Sequence, residues 1–197
     1  MDNSSGRFVV KQSTYSCNYS STYCSTPNNE VLALLEKYKD QIVNPDSVVY
    51  TFKHSYSRDD FVLVVCKAIA WAIHNNPGIF DAEKVTYVTH NIAGIKKSVS
   101  SGEFTYADLE EVCPHDNAIA IQKCTQTQVE FWQTNTSNIC YATGIYSLSN
   151  GLTNIGTINY VAQNYGSGHQ QSFKEYDEFT AKTALFEFLR TKADTTL

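Results

Sequence analysis

Forty-three consecutive residues, 131–173, carry no Lys, Arg, Asp or Glu, and residues 12–29 form a second uncharged stretch of eighteen. No other feature limits the fold as much. A solvated arm or loop is normally kept from associating by its charges, so nearly a third of the chain is expected to serve association and to be covered by neighbouring subunits. Ser, Thr, Asn, Gln and Tyr supply the polarity here, and charged residues make up only 18% of the 197-residue chain, against about 25% in ordinary soluble domains.

The net charge of −5 gives no general field for nucleic acid, because phosphate affinity scales with the cations set against the backbone; RNA contact would need a local basic groove. The longest apolar run, 61–73, is too short for a spanning helix and contains Lys67, so no membrane partner is expected. The opening MDNSSGRFVVKQ has no apolar core of a secretory leader. Six cysteines (17, 24, 66, 113, 124, 140) form no C-x-x-C, and a chain of this length does not need disulfides to fold, so thiols are expected.

The charged segments read as helices. Thr26-Pro27 opens one with Val31, Leu34, Leu35 and Tyr38 on one face, running to about Ile42. Ser57-Arg-Asp-Asp60 is a capping box before 61–73, a helix apolar nearly all round and therefore central, stopped by Asn75-Asn-Pro-Gly78. Asp81 caps a third, in which Val85, Val88, Ile92, Ile95 and Val99 recur at helical spacing up to Ser101-Gly102. Thr105-Tyr-Ala-Asp108 caps a short helix ended by Pro114, and Asp116 begins the next through Ile119, Lys123, Val129 and Trp132. Asn150-Gly151 marks a hairpin, and Ser172-Phe-Lys-Glu175 opens a last long helix through Leu189. The expected architecture is mainly α: a core of about five helices (28–135), an N-terminal arm (1–27), an uncharged loop and β-hairpin excursion (136–171), and a C-terminal helix with tail (172–197).

Catalytic patterns are missing from the primary structure. Cys66 and Cys113 with His54, His74, His90, His115 or His169 contain the members of a thiol–imidazole pair, but nothing in the spacing makes them converge, and Cys66 falls in the most apolar helix. Eight and fifteen residues separate His115, Cys124 and Cys140, which fits no usual zinc site. The acid pairs Asp59-Asp60, Glu110-Glu111 and Asp177-Glu178 point about 100° apart on a helix and make no dyad. No phosphate-binding loop, dinucleotide fingerprint or nucleophile elbow is present. A non-enzymatic chain without metal or cofactor is expected.

Tyr- and Asn-rich uncharged segments suit interfaces, which are enriched in aromatics and depleted in charge. Tyr15, Tyr19, Tyr23, Tyr146, Tyr160 and Tyr165 are the candidate assembly contacts. KTALFEFL (182–189) resembles the K-F-A-A-F-D-F-F type motif near the C-terminus of coat proteins from flexuous filamentous plant RNA viruses: Lys182, Ala184, Phe186 and Phe188 match, with Glu187 in the Asp place. The resemblance implies a helical filament around single-stranded RNA, with Glu187 pairing an upstream Arg that YADLEEVC (106–113) does not supply. Coating a single strand needs cations on phosphates and base stacking; the candidates are Lys53, Arg58, Lys96, Lys97, Lys182 and Arg190, with Tyr56 and Tyr87 for stacking. The expectation is a self-assembling capsid subunit, found in the virion and in host cytoplasm during assembly, with itself and RNA as partners. The alternative is a secreted or surface binding module with disulfides, and with N-glycans at the sequons of Asn3, Asn18 and Asn135. A third reading is an enzyme whose site gathers Cys and His from distant positions.

Overall fold

The computed structural model divides into two units, Met1–Ser47 and Val48–Leu197. It describes residue 33 and residues 44–135, 139–141, 152–165 and 173–192, so the expected helix after Pro27 and the Asn150-Gly151 hairpin lie outside the described residues, apart from Ala33, which is helical.

Seven strands and five α-helices alternate through the described residues of the second unit. In chain order they are β1 (Val48–Phe52), α1 (Arg58–Asn75), β2 (Tyr87–Thr89), a 3₁₀ turn (Ile92–Gly94), β3 (Gly102–Thr105), α2 (Tyr106–Val112), β4 (Ala118–Cys124), α3 (Gln126–Asn135), β5 (Ile139–Tyr141), β6 (Thr153–Ile158), α4 (Asn159–Tyr165), β7 (Phe173–Thr180) and α5 (Ala181–Thr191). Five strands form one sheet in the order β5-β2-β6-β4-β7, and β1 pairs with β3 in a separate ribbon. This mixed α/β architecture overturns the expectation of a mainly helical bundle.

Two helix starts form as their sequences require. Ser57 Oγ accepts from the Asp60 amide at 3.1 Å, and α1 then buries Phe61, Val62, Val65, Ala68, Ile69, Ala72 and Ile73. Thr105 and Asp108 form a reciprocal capping box before α2. The other helical expectations within the described residues fail or shift, for identifiable reasons. Val85-Thr86-Tyr87-Val88-Thr89 is rich in β-branched residues, and its 85–99 spacing, which mimics a helix, is divided between strand β2, the 3₁₀ turn and extended backbone. Residues 118–124 are buried on both faces save for Lys123, and a fully buried central strand has no alternation to distinguish it from a buried helix. The helix expected from Asp116 starts only at Gln126, where Thr125 and Gln128 exchange side-chain-to-amide bonds.

The last helix also begins later than expected. Residues 173–180 are strand β7, and an irregularity sets Tyr176 opposite Ile119 and Thr180 opposite Ala118, so that four residues of β7 span one step of β4. Tyr176 and Phe179 are therefore both buried at a helical spacing inside a strand. Thr180 caps α5 by accepting from the Thr183 amide at 3.1 Å.

The uncharged segment also changes meaning. Residues 153–158 are the middle strand of the sheet, buried from Asn154 to Ile158 and flanked by β2 (parallel) and β4 (antiparallel). This part lacks charge because it is core. Gly156 allows close packing at the centre: a Cβ there would lie 2.9 Å from Ile73 Cδ1 on α1 and 3.2 Å from Val88 Cγ2 on β2. At the other side of the core, Phe52, Phe61, Phe104 and Tyr56 meet edge-on or tilted with centroids 5.4 to 6.1 Å apart, joining the ribbon to α1.

Candidate functional site

Strand direction decides which loops meet. β2 and β6 are parallel, β4 is antiparallel to β6 and β7 is antiparallel to β4. The carboxyl ends of β2, β6 and β7 and the amino end of β4 therefore share one end of the sheet. That end receives residues 89–97, Asn159, residues 113–117 and residues 180–182, and open α/β sheets commonly bind ligands where parallel strands end.

Residues 89–97 are the most specialised of these. His90 is buried, and its Nδ1 lies 2.9 Å from the Asn91 carbonyl; a carbonyl only accepts, so Nδ1 carries the ring proton. Burial, opposed by that hydrogen bond, pulls the imidazole down to about 4, so it is neutral at neutral pH. The 3₁₀ turn then folds back, with the Gly94 and Ile95 amides donating to Asn91 O and Ile92 O. Glycine is required at 94 for space: a Cβ would sit 2.6 Å from His90 Cε1 and 3.0 Å from Asn91 Oδ1. Asn91 Oδ1 is buried without a hydrogen-bond partner, an acceptor that proteins seldom leave unsatisfied. Lys96 continues the turn, its Nζ on Ala93 O at 2.7 Å and its amide on Val112 O at 2.9 Å, which ties the loop to the end of α2.

Residues 113–117 and 180–182 are joined by charge. Lys182 Nζ lies 2.9 Å from Glu110 Oε2 and 2.8 Å from Asp116 Oδ1, with its side chain only 8% exposed. Burial lowers the Lys182 pKa, but the hydrogen bonds to Asp116 and Glu110 outweigh it and leave the ammonium held above its ordinary range. The Ala181 amide donates to Asn117 O beside it at 3.0 Å. Burial pushes the nearby Cys113 thiol up to about 12, so it is not a nucleophile at neutral pH.

The positions singled out in the sequence are dispersed. Lys96, Lys97 and Lys182 belong to this sheet end, but Lys97 is paired with Glu111 and Lys182 with two carboxylates. Lys53 and Arg58 are exposed between β1 and the first turn of α1, Glu187 is half-buried on α5, and exposed Arg190 stacks over Phe186. Tyr56 packs against Phe52 and Phe61, and Tyr87 is half-buried against the core. Tyr160 is exposed on α4, Tyr165 closes that helix, and Tyr15, Tyr19, Tyr23 and Tyr146 lie outside the described residues. Sequence reasoning missed Asn91 and Gly94 because residues 81–101 read as a helix; the available signal was a polar His-Asn pair directly after a β-branched run.

The arrangement can bind more readily than it can transfer protons. It offers two orphaned acceptors, Asn91 Oδ1 and Glu110 Oε1, one exposed ammonium at Lys96 and the hydrogen-bonding groups of 113–117. His90 and Cys113 are both shifted out of useful range at neutral pH. Among the described residues, no three His, Cys, Asp or Glu side chains stand close enough to hold a metal ion.

No protein-family model and no curated protein matches the chain. Solved structures match its fold. A 5'-nucleotidase precursor from Thermus thermophilus superposes with a TM-score of 0.61 at 12% identity, over 84% of this chain and 40% of that one. The NAD nucleotidase of Haemophilus influenzae gives 0.55 at 13% identity, over 85% of this chain and 40% of its own. A 5'-nucleotidase from Candida albicans gives 0.51 at 13%, over 84% and 44%. At this identity the likeness is one of fold, and this chain spans about two fifths of the length of those structures. It overturns the coat-subunit expectation, since the α/β fold is that of nucleotidase structures and not of a helical filament subunit. The expectation of a non-enzymatic chain is corrected with it: the fold is one that proteins named as enzymes carry.

Proposed function

We propose that this chain is the nucleotide-binding part of a 5'-nucleotidase-type enzyme, and that it takes its ligand at the sheet end built from residues 89–97 and 113–117. The observation that carries the reading is the orphaned, buried Asn91 Oδ1 beside a glycine whose Cβ has no room, in a fold shared with three nucleotidase structures. A nucleotide complements this end chemically. Its base and ribose present N–H and O–H donors of the kind Asn91 Oδ1 lacks, and its phosphate suits the Lys96 ammonium.

The bond-breaking step belongs, in this proposal, to a further domain or partner corresponding to the remaining three fifths of the solved nucleotidases. The residues here bind and orient. The Asn91 carboxamide accepts from the ligand, neutral His90 holds the turn through Nδ1, and Lys96 offsets phosphate charge without a proton transfer.

Calorimetric titration of the full chain with AMP, NAD and inorganic phosphate tests this. AMP is expected to bind, and Asn91→Ala to weaken it about tenfold, the worth of one buried hydrogen bond. Equal heats for AMP and phosphate alone, or wild-type affinity in the Asn91 variant, would remove the proposal.

A further inference from the structure

Lys182 stands where two independent rules disfavour a cation. It is the second residue of α5, where the unsatisfied amides of the first turn make a helix end positive, and it is buried. Local consistency is normally broken only where a site requires it. What offsets the burial and the helix end is a pair of carboxylates from two other segments: Glu110 on α2, and Asp116 in the link between α2 and β4. The two contacts differ in kind. Glu110 is itself mostly shielded, at 21% side-chain exposure, and lies on a helix held by its own capping box. Asp116 is 59% exposed and lies in no regular element, so Lys182 is a principal tether for the segment it belongs to.

We infer that Lys182 is a positioning residue whose ammonium, through Asp116, fixes residues 113–117 at the sheet end. The functional consequence rests on the proposed ligand site; the tethering does not. The Ala181 amide on Asn117 O supplies a second bond to the same segment from the same turn of α5. Lys96 N on Val112 O ties the Asn91 loop to the residue preceding that segment. Slack in 113–117 thus passes to both halves of the proposed site, while the hydrophobic core, which uses neither Asp116 nor Lys182 as apolar contacts, stays in place.

The test is amide hydrogen exchange of the full chain together with AMP titration, comparing wild type with Asp116→Asn and Glu110→Gln. Asp116→Asn strips the tether of its charge and leaves only a neutral acceptor, at a side chain that is 59% exposed. It is expected to speed exchange in 115–117 at least tenfold, leave β4 unchanged and weaken AMP about tenfold. Glu110→Gln is expected to leave 115–117 protected. Unchanged exchange in Asp116→Asn, or equal loosening in both variants, would overturn the inference by making the cluster a general charge effect. Wild type that binds no AMP would remove the proposed function, and the exchange comparison would still decide the tether.

Discussion

The two ends of the five-stranded sheet handle charge in opposite ways. At the end where β2 and β6 begin, Asp81 pairs with Lys174 and Glu83 with Lys123, and these side chains are more than half exposed apart from Glu83 at 26%. Asp81 and Ala82 are non-glycine residues at positive φ (51° and 57°), held by the Lys174 pair and by Tyr176 Oη at 3.2 Å. At the other end the cation is 8% exposed, the imidazole is buried and neutral, and Asn91 Oδ1 has no partner. One end carries its charges in water, where they contribute little. The other removes them from water, and although Asn154 Oδ1 at the first end also lacks a partner, only the second end buries its cation and its imidazole, and that asymmetry is what marks it as the proposed site.

The contrast ranks the expected effects of substitution. Lys182→Met leaves Glu110 shielded without its counter-ion and is expected to cost roughly 3 to 4 kcal/mol in chemical denaturation, toward the low end for buried pairs because Asp116 is mostly exposed. A loss under about 1 kcal/mol, the range of surface pairs, would place this end in the same class as the other. His90 gives the next effect. Its folded pKa, about 4, lies below the ordinary 6.5, so between those values the unfolded chain binds a proton that the native chain does not. Stability is full above pH 6.5 and falls as pH drops toward 4, by on the order of 3 kcal/mol. His74, lowered chiefly by burial, adds a loss of the same sign, whereas Asp81, lowered chiefly by its Lys174 hydrogen bond, acts only below the ordinary carboxylate value of 3.8. Denaturation midpoints of His90→Gln should therefore vary less over that window than those of wild type. An unchanged acid limb would assign the loss elsewhere.

Gly94→Ala comes third, at about 1 to 3 kcal/mol, because the new Cβ must displace a buried ring. The same exchange at Gly78, where a Cβ meets nothing within 4 Å, should be close to neutral and serves as the control. Lys174→Ala closes the series with the smallest shift in denaturation midpoint, one that shrinks further with added salt, as expected of an exposed pair. A shift as large as that of Gly94→Ala would mean that the positive-φ turn at Asp81 depends on that bond.

Much of what positions the site was local enough to read in the sequence. Ser57, Thr105 and the stop at Asn75-Asn76 set α1 and α2, because capping is decided within four residues. The sheet was not legible, and its concealment has a physical basis. β4 and β6 are buried on both faces and lose the alternation that marks a strand, while the irregularity in β7 puts Tyr176 and Phe179 on a helical spacing. The uncharged run was noticed but assigned to a surface, although lack of charge fits a central strand equally well. Within the site, Lys182 was singled out as a phosphate cation, and only the fold shows that two carboxylates occupy it. Asn91 and Gly94 left only a faint local signal, the His-Asn pair after a β-branched run, since their importance comes from one buried ring and one unpaired oxygen.

The most direct measurement is an amide NMR titration of the full chain with AMP. Shifts are expected to concentrate in residues 89–97 and 113–117, with 81–84, Lys123 and Lys174 unmoved. Shifts centred on the Asp81 end, or none at millimolar AMP, would contradict the proposed site.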